Sequence, residues 1–179
     1  MTVTLVANPT SGSGRAARML PTVVSKVRQT FAGHRVVVRR TTDYEQARGI
    51  CQQAAADHGP DDVLIVLGGD GMMHLGLNAV AGTDVALGLI AAGSGDDLCR
   101  GLGIDVKRPD QSLDLMRRPP LPVDLIRIDT PDGAIRWVGS IVCSGFDALV
   151  NARANAMSFP QGALQYPTAL FAELATFRP

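Results

Sequence analysis

At 179 residues, 46% of them hydrophobic, the chain is long enough for one full domain with its own core and the start of a second. Its 17 basic and 17 acidic residues cancel, which removes the electrostatic case for nucleic acid or for strong attraction to an anionic membrane. Cys51, Cys99 and Cys143 are widely spaced and no histidine stands at ligand spacing from them, a pattern of a reducing cytosol and not of a disulfide framework or a zinc site.

The opening MTVTLVANP has neither a basic start nor a long apolar core, so it does not read as a signal peptide. No apolar run approaches the roughly 20 residues that span a bilayer. The expectation is a cytoplasmic, soluble protein without a transmembrane segment.

Val3 to Ala7 predict a first strand, and residues 8–14, NPTSGSG, must be a loop. Ala16, Met19, Leu20, Val23, Val24, Val27 and Phe31 then share one helical stripe, which Pro21 either kinks or starts. Val36 to Val38 give a second strand between flanking arginines. Asp43 and Gln46 form a capping box for a helix whose inner face is Ala47, Ile50, Cys51, Ala54 and Ala55. Val63 to Leu67 are apolar throughout, as in a strand buried on both faces of a parallel sheet. A helix from about Met72 to Val80 follows, then a fourth strand over Val85 to Ile90, and a short helix through Leu98 and Arg100. This alternation implies right-handed βαβ units, a parallel sheet, and a ligand crevice at the strands' C-terminal ends.

Near Pro119 the pattern changes. Residues 121–143 read as two antiparallel strands around a turn at Asp129 to Gly133, and a helix-prone stretch ends the chain. The reading is an α/β domain over residues 1–119, followed over 120–179 by the beginning of a second domain, incomplete and antiparallel. Trp137 is expected to pack in that second domain.

Three loops, NPTSGSGR, GGDGMM and AAGSGDD, therefore end three parallel strands. Glycine lets backbone N–H groups approach phosphate oxygens, and each following helix adds its positive end. One such loop is an ordinary turn; three on one edge point to a nucleotide polyphosphate. A rival reading starts from Gly12-Ser13-Gly14-Arg15-Ala16-Ala17, which matches the dinucleotide fingerprint, with Arg39 and Arg40 placed for a 2′-phosphate. That NADP-binding Rossmann-type domain explains neither Asp70 between glycines nor the third loop. A non-catalytic nucleotide-binding fragment is the third alternative.

NPTSG, GGDG and AGSGDDLCRGLGI, in that order, resemble the diacylglycerol kinase catalytic domain family, itself similar to sphingosine kinases and more distantly to NAD kinases and phosphofructokinases. GFDALVNARAN resembles the start of that family's second domain. The resemblance covers essentially the whole chain. It implies an ATP-binding α/β domain of the phosphofructokinase and NAD kinase type, paired with an antiparallel β-sandwich. It also implies transfer of the γ-phosphate of ATP, with Mg²⁺, to diacylglycerol or a related lipid at the membrane surface, and it leaves room for a homodimer. Departures from the family pattern are Met72 for threonine, His74-Leu75 for Asn-Glu, Ala92 for proline, Ser94 for threonine and Asp96 for asparagine.

Carried onto matching positions, the resemblance implies that Asn8, Pro9, Thr10, Ser11 and Gly12 hold ATP phosphates and that Thr41 meets the nucleotide. Gly69, Asp70, Gly71, Met72 and Met73 would wrap the polyphosphate, with Gly93 and Ser94 on the opposite wall. Asp70 is the catalytic candidate, because a carboxylate beside phosphates is repelled unless it holds Mg²⁺ or hydrogen-bonds a hydroxyl; its plain alternative is a turn at a helix start. Arg15 would meet a phosphate or simply be solvated, and Asp96 and Asp97 would cap the fourth helix. Asp147 would cap a turn or link the domains. His74 is expected to be structural or exposed, and Met72 and Met73 to pack in the core. By the same resemblance the proton-accepting base lies late in the second domain. The sequence stops at Phe177-Arg178-Pro179 before any such segment. The expectation is weak ATP binding and negligible lipid kinase activity for these 179 residues; Asp70 is the alternative base, but its neighbours fit a phosphate and metal role better.

Overall fold

The computed structural model of the chain describes residues 1–160 and 164–176. Strands β1 (Thr2–Ala7), β2 (Arg35–Arg40), β3 (Val63–Gly68) and β4 (Ala86–Ala91) alternate with helices α1 (Ser11–Thr30), α2 (Tyr44–Asp57), α3 (Asp70–Val80) and α4 (Asp97–Gly101). They form one parallel sheet in the order β2-β1-β3-β4. Ala7 pairs with Arg40 on one side and Leu67 on the other, and Gly68 pairs with Ala91, so all four strands end level. The sheet reverses its direction of winding between β1 and β3, where open α/β sheets take their ligands.

Burial on both faces explains why β3 is apolar without alternation. Leu64 and Val66 pack with Val6, Cys51 and Met73 under α2 and α3. Ile65 and Leu67 pack with Leu5, Leu20 and Val27 on the other face, under α1 and a further helix, α5 (Pro109–Leu115). Successive strand residues point to opposite faces, so each helical layer receives every second side chain.

Two helix starts carry information. The predicted stripe of α1 is buried at Ala16, Leu20, Val23 and Val27, but its non-helical dihedrals fall at Gly12, Ser13 and Gly14 and not at Pro21. In α2, Asp43 Oδ1 accepts from the Gln46 N–H at 2.8 Å, while Gln46 Oε1 reaches one residue further back than a regular capping box, to the Thr42 N–H at 2.8 Å.

The antiparallel hairpin is present as β5 (Ile126–Asp129) and β6 (Ile135–Val138). It belongs to the same compact unit as the sheet, residues 1–140. Asn78 of α3 anchors it: the Trp137 N–H donates to Asn78 Oδ1 and Asn78 Nδ2 donates to the Trp137 carbonyl, both at 2.8 Å. Trp137 is half-buried against the α2–α3 core layer, which corrects its assignment to a second domain. Asn78→Ala leaves two backbone groups of β6 without these partners. It is expected to cost about 1–3 kcal/mol and to move the emission of the sole tryptophan to longer wavelength. Native-like emission and stability in the variant would contradict the anchor.

Residues 141–179 form a second compact unit. Its described residues hold α6 (Phe146–Ala156) and α7 (Gln165–Thr176), packed through Val150, Ala154 and Ala169. Helix α7 lies within the helix-prone stretch predicted from sequence, residues 163–179, of which 163 and 177–179 lie outside the described residues. Asp147 falls in the first turn of α6. No helix among the described residues is long and apolar enough to cross a membrane.

Candidate functional site

Three loops leave the level edge of the sheet side by side, after β1, β3 and β4, and their backbones touch. A Cβ on Gly12 would fall 2.0 Å from the carbonyl oxygen of Ala92, and Gly12 has φ +58°, so space and conformation both demand glycine. Gly93 presses on Gly69 in the same manner, with a Cβ at 2.5 Å from the Gly69 Cα. Gly12 and Gly71 thus share one end of the sheet, as a common phosphate site requires.

Asp70 ties the second loop to the third. Its Oδ2 accepts from the Asp96 N–H at 2.7 Å and its Oδ1 from the Leu98 N–H at 3.4 Å. It therefore caps α4 from a neighbouring loop and makes no turn at its own helix start, where Gly69 is the cap residue. This corrects the expectation that Asp96 or Asp97 caps α4. Asp96 is left-handed (φ +57°), and its Oδ1 accepts from the Gly93 N–H at 2.8 Å. Aspartate and asparagine are the side chains that most readily tolerate that backbone. Asp97 stands close by: a Cβ on Gly95 would lie 2.9 Å from Asp70 Oδ2 and 3.5 Å from Asp97 Oδ2.

Asp96 is 1% exposed. Burial pushes its carboxyl above the ordinary value of 3.8, the Gly93 N–H opposes that, the Asp70 charge adds to it, and Arg15 and Arg100 pull it down. A carboxyl raised in the folded state is charged there at a cost. That cost is absent below the unfolded pKa and grows as pH rises through the folded pKa. Asp96→Asn keeps an acceptor for Gly93 and removes the charge, so it is expected to raise the Tm at neutral pH. The gain should shrink on acidification toward the ordinary 3.8; thermal melts across pH that show a constant gain would refute this account.

The remaining candidates fall into clear groups. Asn8 Oδ1 accepts from the Thr10 N–H at 3.0 Å and the Thr10 hydroxyl at 2.7 Å, which folds the first loop on itself after Pro9. Ser11 follows at its side, its Oγ 3.1 Å from where a Cβ on Gly68 would stand, and Ser94 is exposed at the rim of the third loop. By helix geometry the N–H groups of Asp70, Gly71 and Met72 have no partner within α3. The Met73 N–H donates to the Gly69 carbonyl at 3.1 Å, and its fully buried side chain accepts from the Cys99 thiol at 3.6 Å within the core. Met72 is also core, at 4% exposed, and offers only its backbone.

Thr41 sits at the predicted strand end but is buried. Its N–H and hydroxyl both donate to the Ala7 carbonyl, at 2.9 and 3.3 Å, and the exposed residue there is Thr42. Arg15 is half-buried and its Nη2 donates to the Val106 carbonyl at 2.9 Å, a bond that uses one of the five N–H groups of the guanidinium. Arg100, which sequence reasoning passed over, donates from Nε to the Gly95 carbonyl at 2.8 Å and steadies the third loop. His74 lies away from the loops, beside Asn78; burial and then the nearby Arg136 charge hold its pKa below the ordinary value.

A parallel sheet with three interlocked glycine loops at its switch point is the α/β architecture that receives phosphate-bearing ligands. Strand order separates it from dinucleotide-binding domains, which place the third strand outside the second and not beside the first. Residues 2–128 match the Diacylglycerol kinase catalytic domain, and residues 140–179 match the YegS C-terminal NAD kinase beta sandwich-like domain. The chain belongs to the diacylglycerol kinase catalytic domain family. Proteins named diacylglycerol kinase from two Mycobacterium tuberculosis strains, CDC 1551 / Oshkosh and H37Rv, are each 36% identical over 178 residues. Those matches cover 99% of this chain and 56% of each relative, so the chain spans little more than half their length. A crystal structure of a diacylglycerol kinase from Bacillus anthracis str. Sterne is similar at TM-score 0.58 and 26% identity, over 69% of this chain and 44% of that one.

Proposed function

We propose that this chain supplies the ATP-binding part of a lipid kinase that moves the γ-phosphate of ATP to the hydroxyl of diacylglycerol or a related lipid alcohol. The observation that carries the reading is the interlock of the three loops, Gly12 on Ala92, Gly69 on Gly93 and Asp70 on Asp96, in a member of this family. Backbone N–H groups at the start of α3 and the glycine backbones around them supply donors for a polyphosphate. Ser11 and Ser94 add hydroxyls from the two flanking loops.

Each Asp70 oxygen takes one N–H and keeps a lone pair, a donor set that fits Mg²⁺ held directly or through water. Magnesium, when bound, offsets the charge on the phosphate oxygens. The chain's own contribution is positional: Asp70 fixes the third loop through two N–H groups, and Asp96 fixes Gly93 in turn. A lipid hydroxyl is reached only at an interface, so the reading includes peripheral association with a membrane surface.

The test is thermal stabilisation. A ligand at a hundredfold over its Kd stabilises by about 2.7 kcal/mol, which shifts the Tm of a domain of this size by several degrees. ATP and ADP with Mg²⁺ are expected to produce that shift and NADPH is not. Stabilisation by NADPH alone would overturn the kinase reading in favour of the dinucleotide one.

A further inference from the structure

An open cavity of about 250 Å³ lies in the sheet domain apart from the glycine loops; Val37, Ile50 and Ala54 form its apolar part, and its polar wall is Thr2 and Thr4 of β1, Arg35 and Arg39 of β2, and Asp57 and His58 at the end of α2. Thr2 pairs with Arg35, and Val6 with Arg39, so strand alternation sets all four polar side chains on the α2 face of the sheet. β2 is an edge strand, and the cavity lies between that edge and α2.

The polar groups around it do not satisfy one another. Thr4 is 6% exposed, and its hydroxyl makes no hydrogen bond among the described residues. Arg35 and Arg39 are exposed to solvent, and their guanidiniums have no ion-pair or hydrogen-bond partner among the described residues. The His58 side chain is 5% exposed; its Nε2 is buried without a partner, and its Nδ1 stands 3.9 Å from Asp62 Oδ2. Asp57, the carboxylate in the wall, accepts from Gln53 Nε2 at 2.8 Å. The buried Thr4 hydroxyl and His58 Nε2 cost stability until a ligand or water meets them, whereas the exposed arginines are solvated and free to turn toward a ligand.

Their chemistry selects the ligand. Two guanidiniums, a hydroxyl and an imidazole suit a tetrahedral oxyanion, which arginine grips through paired N–H groups. Asp57 and the carbonyl end of α2 repel a bare anion and accept from a hydroxyl. The volume falls below the roughly 300–1,000 Å³ of pockets for drug-sized ligands, so the occupant is smaller than a nucleotide. Thr4 precedes the first loop by four residues, about 13 Å of strand, which separates the two sites.

We propose that this cavity binds a phosphate monoester carrying at least one free hydroxyl, either as a free small ester or as the headgroup of a lipid. The proposal is independent of the nucleotide reading. It is tested on the ¹⁵N-labelled full chain by titration with glycerol phosphate and with inorganic phosphate, against sodium chloride of matched ionic strength. A parallel arm co-sediments the protein with phosphatidylcholine vesicles with and without lysophosphatidic acid.

Glycerol phosphate is expected to give saturable shifts at Thr4, Arg35, Arg39 and His58, and to bind more tightly than inorganic phosphate. Arg35→Gln with Arg39→Gln should weaken binding by about tenfold for each charge removed, with the response to ATP unchanged. Thr4→Val, which keeps the side-chain shape, should weaken it a few-fold. Pelleting with lysophosphatidic acid that is lost in the double variant, while the soluble ester is silent, supports the lipid headgroup; a response to both supports the free ester. The proposal is overturned if neither probe binds, if chloride reproduces the shifts, or if they fall only on the glycine loops. It also fails if the double variant binds normally and merely self-associates, for the arginines would then serve only to guard the β2 edge against pairing.

Discussion

Gly12→Ala is expected to abolish nucleotide binding and to destabilise the sheet domain by about 2–4 kcal/mol, from backbone strain and overpacking together. The new methyl would stand 2.0 Å from the Ala92 carbonyl oxygen, far inside any contact distance, on a backbone at φ +58°. The obstacle is backbone, so no side-chain rotation relieves it. Ala92 is itself held, its N–H donating to the Gly68 carbonyl at 2.8 Å. Relief therefore requires the first and third loops to part, which also unseats Gly93 from Gly69 and disperses the phosphate donors. Gly71→Ala is the control, because a Cβ there meets nothing within 4 Å; it should leave stability close to wild type. Urea unfolding and ATP titration read both variants. A Gly12→Ala protein with wild-type stability and affinity would show that the loops are not interlocked.

Asp70→Ala is expected to remove two things that Asp70→Asn separates. The alanine variant loses the cap on α4, worth about 1 kcal/mol, and with it the tie between the second and third loops. The asparagine variant keeps an oxygen that accepts from Asp96 or Leu98 and loses only the charge. Melting temperatures should thus rank wild type and Asp70→Asn above Asp70→Ala. In both variants the gain in ATP affinity that magnesium brings to the wild type should vanish, because a cation needs the carboxylate and not its shape. Isothermal titration with and without magnesium decides the matter. Magnesium dependence that survives in Asp70→Asn would leave Asp70 a structural cap and nothing more.

These two residues also show what could be read from the chain in advance. Strand β3 and its loop were legible because five apolar residues followed by GGDG constrain both burial and backbone. The register that sets Ala7, Leu67 and Ile90 level belongs to a parallel sheet, so the shared edge was legible too. Contacts between loops were not. A carboxylate capping a helix 26 positions further along has no local signature, and local reasoning gave that work to Asp96 and Asp97. For Thr41 a related limit holds: position marks a strand end, but only packing decides that its hydroxyl points to Ala7. The change in composition at Pro119 marks a change of element type, from helices to a hairpin, and not the end of the compact unit. The tie that keeps the hairpin there joins Asn78 to Trp137, 59 positions away.

The crossing of Gly12 over Ala92 has a kinetic consequence. The first loop is synthesised early, yet its counterpart exists only when β4, the last of the four parallel strands in chain order, has paired with β3. A partly folded chain with β1, β2 and β3 in place has the glycines but not the cradle. A ligand of the cradle therefore recognises the finished sheet and has little purchase on the species that precede it. Ligands of that kind hold the native state in place by slowing its unfolding and leave the folding rate almost untouched. The same crossing makes occupancy a report that β4 has arrived.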